Sequence, residues 1–504
     1  MKKLLIKNSL FGFGQSIVNF LLILIAVPIF IKMLGIESYG VFALVMVVGN
    51  LNTFANLGIV NALVKYIASQ GKTKESNFDI AVNIILTVLV IFPLTLLAIY
   101  LNKFILLDLL KVPLKLFAEA NLLYYWLLCT NILLLIGQIF KSILDALQKI
   151  YITSLLQLFY NILYWGLILL TLILGYNLSS IGVAIFASAL IWFIFILIKA
   201  LKEWGSLSLK GLRNNFKYSA KKQLNYGLKI YASGLLGFFA EPLMKILISN
   251  FIGIVEVGFF DIALKLKNQL SGVISQIFYP LFPFIAEQKD KSLIRKYIHD
   301  LEQKTFYLIV PIIVIINFTM YSFINIWLGN NNDIISITAI LFISFYLLGS
   351  STVLPMYMFL LAKDFVDKIL FIQFLNTLFY IISFLITVKT IGYFSIIISY
   401  STAILSSFIC LIYYQKKYLN SFIFDSSMNF IKLLIIGCLL FSIGTITNLF
   451  ITTNLLRLVI DPIIIVLVSI ILYRKFKMIT ILDIERYTGN DTKLANLIIK
   501  LFMK

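Results

Sequence analysis

Histidine occurs once in 504 residues, at His299, and cysteine three times, at Cys129, Cys410 and Cys438. The cysteines fall far apart in apolar segments. Neither a disulfide framework nor a His/Cys metal site is encoded by such spacing. His299 lies in a charged stretch that reads as a solvated loop. The G-x-x-x-x-G-K-[ST] pattern is absent, so ATP hydrolysis through a phosphate-cradling loop of that kind is excluded. No nucleophile elbow occurs either. Acidic side chains are scarce, 22 against 42 Lys and Arg, and charged residues make up only 13% of the chain. Asp483 and Glu485 form an acidic pair in a polar tail and read as solvated rather than catalytic. Long polar connections are also missing from one side. The longest of them, near 102–116, has about fifteen residues, too few to fold alone. An enzyme that builds or polymerises glycans would be expected to carry a sizeable loop with catalytic residues, and none is present.

What fills the chain is apolar sequence. Hydrophobic residues make up 61% of it, and apolar stretches of about 20 residues recur from end to end, each long enough to cross a bilayer as a helix. The first stretch continues past Pro28 without a small-residue cleavage site, so it is expected to be a membrane helix rather than a removable leader. Fourteen segments are predicted, including 9–31, 41–64, 225–250, 257–282, 305–326 and 334–360. The predicted class is therefore an all-α integral membrane protein with fourteen transmembrane helices. Placing the N-terminus in the cytoplasm puts thirty-one Lys and Arg in the inner connections and six in the outer ones. This positive-inside bias supports an even number of crossings with both termini cytoplasmic. It also accounts for the formal charge of +20 without a nucleic-acid partner.

The order of elements suggests a duplicated plan. Shifted by 218 residues, Gly35-Ile36-x-x-x-Gly40-x-Phe42 falls on Gly253-Ile254-x-x-x-Gly258-x-Phe260, and Ile67-Ala68-x-Gln70 falls on Ile285-Ala286-x-Gln288. Six predicted helices separate the copies, so both run in the same direction. Parallel repeats of this kind are a transporter architecture, with substrate handled near the repeat interface. The expected organisation is a six-helix lobe over 1–200, a basic cytoplasmic linker over 201–224 and a second six-helix lobe over 225–415. Two further helices follow over 416–473. The last stretch, 474–504, reads as a basic amphipathic tail in which Leu494, Leu497, Ile498 and Leu501 share one face, suited to the inner membrane surface.

Most of the intramembrane charge is concentrated between Lys229 and Gln276. One predicted helix carries Lys229, Glu241 and Lys245. The next carries Asp261, Lys265 and Lys267, with Asn268, Gln269 and Gln276. A charge at bilayer depth costs roughly 2.5–3.5 kcal/mol even on the lenient insertion scales, so the hairpin is expected to face protein or water. Asp261, Lys265, Asn268, Gln269 and Gln276 fall within about 100° of arc on an ideal helix. Two readings stay open. The charges can neutralise one another in a structural network, or the lysines can bind an anion while Glu241 and Asp261 take a proton or sodium ion. Gln15 and Asn19, in a stripe with Asn8 and Gly12, can hydrogen-bond sugar hydroxyls or act as interhelical glue.

Three stretches carry a family resemblance. They are Leu34-Gly35-Ile36-Glu37-Ser38-Tyr39-Gly40, then Gly253-Ile254-Val255-Glu256-Val257-Gly258-Phe259-Phe260-Asp261-Ile262-Ala263, and Ile326-Trp327-Leu328-Gly329. In order and spacing the chain resembles the polysaccharide biosynthesis, Wzx-type oligosaccharide flippases of the multidrug/oligosaccharidyl-lipid/polysaccharide exporter superfamily. The resemblance implies a MATE-like fold in the bacterial inner membrane. It implies alternating-access movement of undecaprenyl-pyrophosphate-linked repeat units for O-antigen, lipopolysaccharide or capsule, alongside polymerase and chain-length machinery and in contact with membrane lipids. No cofactor is implied beyond coupling to a proton or sodium gradient. A cationic lumen for pyrophosphate is implied as well, which Lys229, Lys245, Lys265 and Lys267 suit. No family motif fixes those lysines one by one, so their assignment rests on burial cost and spacing. A lipid II flippase is the nearest alternative. A cation-coupled drug exporter would favour an acidic cavity, whereas here four lysines face two acids.

Overall fold

The computed structural model describes residues 2–49, 56–205, 212–278, 285, 288, 290–329, 332–351, 353–421 and 427–478. All regular structure among them is helical. The order is α1 (Lys2–Gly49), α2 (Ile59–Gln70), α3 (Lys74–Tyr100), α4 (Leu114–Ala146), α5 (Ile150–Ile173), α6 (Leu178–Trp204), α7 (Leu212–Phe251) and α8 (Ile254–Phe278). It continues with α9 (Lys291–Leu328), α10 (Asp333–Phe345), α11 (Leu354–Ala362), α12 (Val366–Ile391), α13 (Ser395–Leu419), α14 (Ser427–Phe450) and α15 (Asn454–Lys475). Among the described residues, ten stretches are long and apolar enough to cross a membrane; one of them, Val366–Leu419, contains both α12 and α13. The chain forms two compact units, residues 1–261 with 384–395, and residues 262–383 with 396–504.

The helices of the first unit are inverted relative to those of a water-soluble protein. On α3, Ile85, Leu89, Phe92 and Leu96 are exposed, while Asn83, Thr87 and Thr95 are buried. Apolar residues outside and polar residues inside minimise free energy only when the surroundings are hydrocarbon. The core lies among α2 to α6, where Leu63, Ile67, Ile139, Ile143, Trp192 and Ile196 pack together. Small residues let these helices approach closely. A Cβ on Gly137 of α4 would stand 2.3 Å from the Trp192 ring of α6. Buried amides then tie helices to backbone carbonyls: Asn131 donates to the Val48 oxygen at 3.0 Å and Asn83 to the Ile59 oxygen at 2.8 Å.

In the second unit α9 packs against α14 and α15, and Val314, Phe318, Ile436, Leu440 and Ile465 belong to one core. Phe318 fills the notch at Gly444, whose Cβ would lie 2.3 Å from its ring. Asp290 caps α9, accepting from the Ser292 amide at 2.8 Å. Hydrogen bonds from the Ser292 hydroxyl and amide hold its carboxyl below the usual carboxylate range.

Several boundaries differ from the sequence reading. The segment predicted over 41–64 is not one helix. α1 contains its first part, bending at Gly35 (φ 81°), and α2 begins after a turn through Leu57 (φ 47°) and Gly58 (φ 69°). The segment predicted over 334–360 is divided as well, into α10, a π turn at Tyr346–Ser351 and α11 with Pro355 in its first turn. α7 starts at Leu212, inside the stretch read as a linker. There Ser219, Ala220, Gln223 and Gly227 form the buried face, a stripe of small and polar residues that a hydrophobic pattern does not register. α9 likewise starts well before 305, burying Ile294, Ile298 and Glu302. His299 is therefore helical and half-buried, with its Nε2 2.9 Å from the Gln303 amide. The amphipathic stretch through Leu494 to Leu501 lies outside the described residues.

The turn at Gly58 is tightly constrained. A Cβ there would lie 2.2 Å from the Gly227 carbonyl oxygen, and φ is already in the left-handed region. Gly58→Ala is expected to cost about 2 kcal/mol through overpacking and strain. The purified variant should melt several degrees below wild type. Gly166→Ala, which meets nothing within 4 Å, should melt with wild type.

Candidate functional site

The two copies of the sequence repeat meet inside the first unit. A Cβ on Gly40 would stand 2.1 Å from the Ile254 carbonyl oxygen, and a Cβ on Gly258 would stand 3.3 Å from the Ile36 carbonyl oxygen. Ile36 and Ile254 are equivalent under the 218-residue shift, as are Gly40 and Gly258. The contact is thus reciprocal, with each glycine receiving the other copy's isoleucine backbone. This explains why glycine stands at both positions: any side chain would hold α1 and α8 apart.

Next to this seam lies an ion pair that joins two of the charges singled out in the sequence. Lys245 Nζ of α7 is 2.6 Å from Asp261 Oδ1 of α8. The other oxygen, Oδ2, accepts from the Tyr39 hydroxyl of α1 at 2.8 Å. Lys245 Nζ also lies 3.4 Å from the carbonyl oxygen of Ala43, the repeat equivalent of Asp261. Asp261 is 4% exposed and Tyr39 1%. Tyr39 is walled by Phe30, edge-on at 5.3 Å, and by Phe42. Three helices therefore converge on one dry carboxylate whose two oxygens are both satisfied. That arrangement meets the condition under which a buried pair is tolerated at all.

The remaining sequence candidates are distributed differently. Lys267 is buried in the second unit, bonded to the Asn268 side chain, with its ammonium 5.9 Å from the centre of the Tyr400 ring. Tyr400 in turn packs on Phe342 at 4.3 Å and Tyr380 at 6.3 Å. Glu241, Lys265, Gln269 and Asn19 are half-buried, and Asn268 is exposed. The side chains of Gln15, Lys229 and Gln276 lie outside the described residues.

Two buried polar networks escaped the sequence reading. In the first unit, the Asp79 carboxylate pairs with Lys222 at 3.0 Å and accepts from the Ser219 hydroxyl. Gln223 donates to the Asp79 carbonyl at 2.9 Å and accepts from Asn83 at 2.7 Å. The available signal was the i, i+4 spacing of Asp79 with Asn83 and of Ser219 with Gln223, one polar pair on each helix. In the second unit, Gln415 donates to fully buried Glu302 at 2.7 Å. Glu302 stands two residues before Lys304 and Gln415 directly before Lys416 and Lys417, a charged context that gives no sign of burial.

The second unit also holds an apolar cleft of about 520 Å³. Phe306 and Val310 of α9, Phe345 of α10, Phe408 of α13 and Phe430 and Leu433 of α14 are among its lining residues.

Removing one member of the seam pair leaves the other charge buried alone, at a cost of about 3 kcal/mol. Lys245→Met should therefore destabilise the purified protein in thermal unfolding, and adding Asp261→Asn should restore much of the loss. Equal stability of Lys245→Met and wild type would contradict the pair's structural role.

The fold has known counterparts. The chain superimposes on the lipid II flippase MurJ, solved in an inward closed conformation, with a TM-score of 0.70 at 16% identity, covering 94% of this chain and 99% of that one. An inward-facing multidrug resistance transporter of the MATE family and MOP superfamily gives 0.65 at 14% identity, over 81% and 98%. A Vibrio cholerae MATE transporter in the bent form gives 0.56 at 16%, over 83% and 97%. At such identities these likenesses establish the fold. No curated protein matches the sequence. The polysaccharide biosynthesis protein family matches residues 5–289, more than half of the sequence, and the chain belongs to that family.

Proposed function

We propose that this protein is a transporter that moves a lipid-linked oligosaccharide, carried on undecaprenyl pyrophosphate, from the inner to the outer leaflet of the bacterial plasma membrane. The product feeds a surface polysaccharide of the O-antigen or capsule type. The observation that carries this reading is the coexistence, in one membrane-embedded fold, of a lysine-bearing hairpin and an apolar cleft of about 520 Å³. Such a substrate has both chemistries: a dianionic pyrophosphate that needs cationic partners and a polyisoprenoid chain that needs an apolar groove. Lys245 is the central basic group. An incoming pyrophosphate competes with Asp261 for its ammonium, and the released carboxylate is then free to take a proton or sodium ion. Opening of the seam on substrate arrival gives alternating access. Lys229, Lys265 and Lys267 add to the positive field, with Glu241 as a second acid.

A lipid II flippase is the second reading, favoured by the extent of the superposition on MurJ. Both substrates share the pyrophosphate and the isoprenoid chain and differ in the glycan. Dependence of growth on the gene separates them, because peptidoglycan export is essential. A drug exporter of the same superfamily is less suited, since four lysines face Glu241 and Asp261 in the hairpin.

Deletion of the protein is expected to trap labelled lipid-linked oligosaccharide on the cytoplasmic leaflet and to abolish surface polymer. Lys265→Ala should reproduce that loss with normal membrane insertion, and Lys245→Arg should retain more export than Lys245→Ala. Persisting polymer with altered drug tolerance would overturn the flippase reading. Normal polymer from both alanine variants would remove the lysines from the substrate path.

A further inference from the structure

A second cleft lies in the first unit, and none of the candidate site residues described above is among its lining. It measures about 580 Å³ and is bounded by α2, α4, the turn at 147–149 and α5. That volume is within the roughly 300–1,000 Å³ typical of ligand sites. Asn61, Lys141, Asp145, Gln148, Ser154 and Gln157 contribute the polar groups of its wall, and Val64 and Ile150 are apolar.

Its electrostatics distinguish it from the lysine hairpin. Lys141 pairs with Asp145 at 2.7 Å, and Asp145 also accepts from the Thr153 hydroxyl at 2.7 Å. The nearby Lys149 is neutralised by Glu203. The one cation in the cleft's own lining, Lys141, is thus paired within the cleft. What remains are amides and hydroxyls. The side chains of Asn61, Gln148 and Ser154 make no hydrogen bond to another described residue, and Gln157 spends one amide proton on Asn161 at 3.3 Å. Amides carry a donor and an acceptor side by side, the complement of vicinal hydroxyls on a sugar ring. The carboxylate of Asp145 is held in place by its two partners and keeps acceptor capacity for further hydroxyl donors. Val64 and Ile150 can cover the C–H face of a ring.

We infer that this cleft binds the carbohydrate part of the transported molecule, a neutral or weakly charged short oligosaccharide, separately from the pyrophosphate. The inference rests on the flippase reading and adds a glycan site to it. The cleft stands where Lys72 and Lys149 converge on Glu203. The positive-inside distribution places that end toward the cytoplasm, where a lipid-linked glycan is presented before transport.

The test compares two probes on the purified full-length protein: undecaprenyl pyrophosphate without sugar, and undecaprenyl-pyrophosphate-linked oligosaccharide extracted from cells that make the polymer. Affinities are measured for wild type, for Asn61→Leu with Gln148→Leu, and for Gln157→Leu, with a melting curve for each. Both altered sets of positions border the cleft, and Asn61 and Gln148 are exposed, so melting should match wild type. The expected result is that wild type binds the glycosylated probe more tightly. Each variant should lose about tenfold of that affinity, as buried or converging hydrogen bonds to hydroxyls do, while binding the sugar-free probe unchanged. Undiminished preference for the glycosylated probe in both variants would overturn the glycan cleft and leave the flippase reading standing. Failure of wild type to bind either probe would overturn the flippase reading, and the cleft's assignment with it.

Discussion

Burying a carboxylate in a hydrocarbon-facing protein is costly, and at Asp261 the cost is offset because both of its oxygens are satisfied, one by Lys245 and one by Tyr39. The rest of the seam follows from it. Tyr39 can reach Asp261 only if α8 lies close to α1, and that approach requires Gly40 and Gly258 to lack side chains. The repeat supplies one glycine from each copy. Charge appears in only one copy, since Asp261 corresponds to Ala43, so the symmetric backbone contact carries an asymmetric polar lock. A pair of this kind contributes little net stability compared with an apolar substitute. In the proposed transport cycle its value lies in being exchangeable, an anionic ligand taking the place of the carboxylate.

α7 is held to the other helices of the first unit at two further points. Near its start, Ser219, Lys222 and Gln223 engage Asp79 and Asn83, and Gly227 meets Gly58 backbone to backbone. Lys222 also lies over the Tyr66 ring at 4.0 Å, and Lys65 over Tyr226 at 3.9 Å. Polar contacts at both ends and a glycine contact between them hold the helix. In lipid, where apolar packing between helices competes with equally apolar chains, polar bonds and small-residue contacts are the usual means of association.

Much of this was legible in the sequence. Helical class, membrane embedding and family followed from long apolar runs, the basic asymmetry and three glycine-containing stretches. The repeat pointed to the seam because identical glycines and isoleucines stood at one offset. Lys245 and Asp261 stood out because charge inside apolar sequence is costly. What stayed hidden has physical causes. The stripe Ser219, Ala220, Gln223 and Gly227 is buried but not hydrophobic, so the start of α7 read as a linker. The helix break at Gly58 depends on a backbone contact more than 160 residues away, beyond any local pattern. Glu302 and Gln415 looked like solvated charge because they adjoin lysines. The cleft is assembled from α2, α4 and α5, which no local pattern brings together.

Transport itself is the claim on which the account stands, and reconstitution tests it most directly. Purified protein is placed in liposomes that contain a fluorescent undecaprenyl-pyrophosphate oligosaccharide, and a membrane-impermeant quencher is added outside. Without protein, only the outer-leaflet half of the label is accessible. The account predicts that wild-type protein carries quenching toward completion. It also predicts that protein in which the seam lysine has been replaced by methionine remains near the protein-free plateau. A plateau at the protein-free level with folded wild-type protein would contradict it.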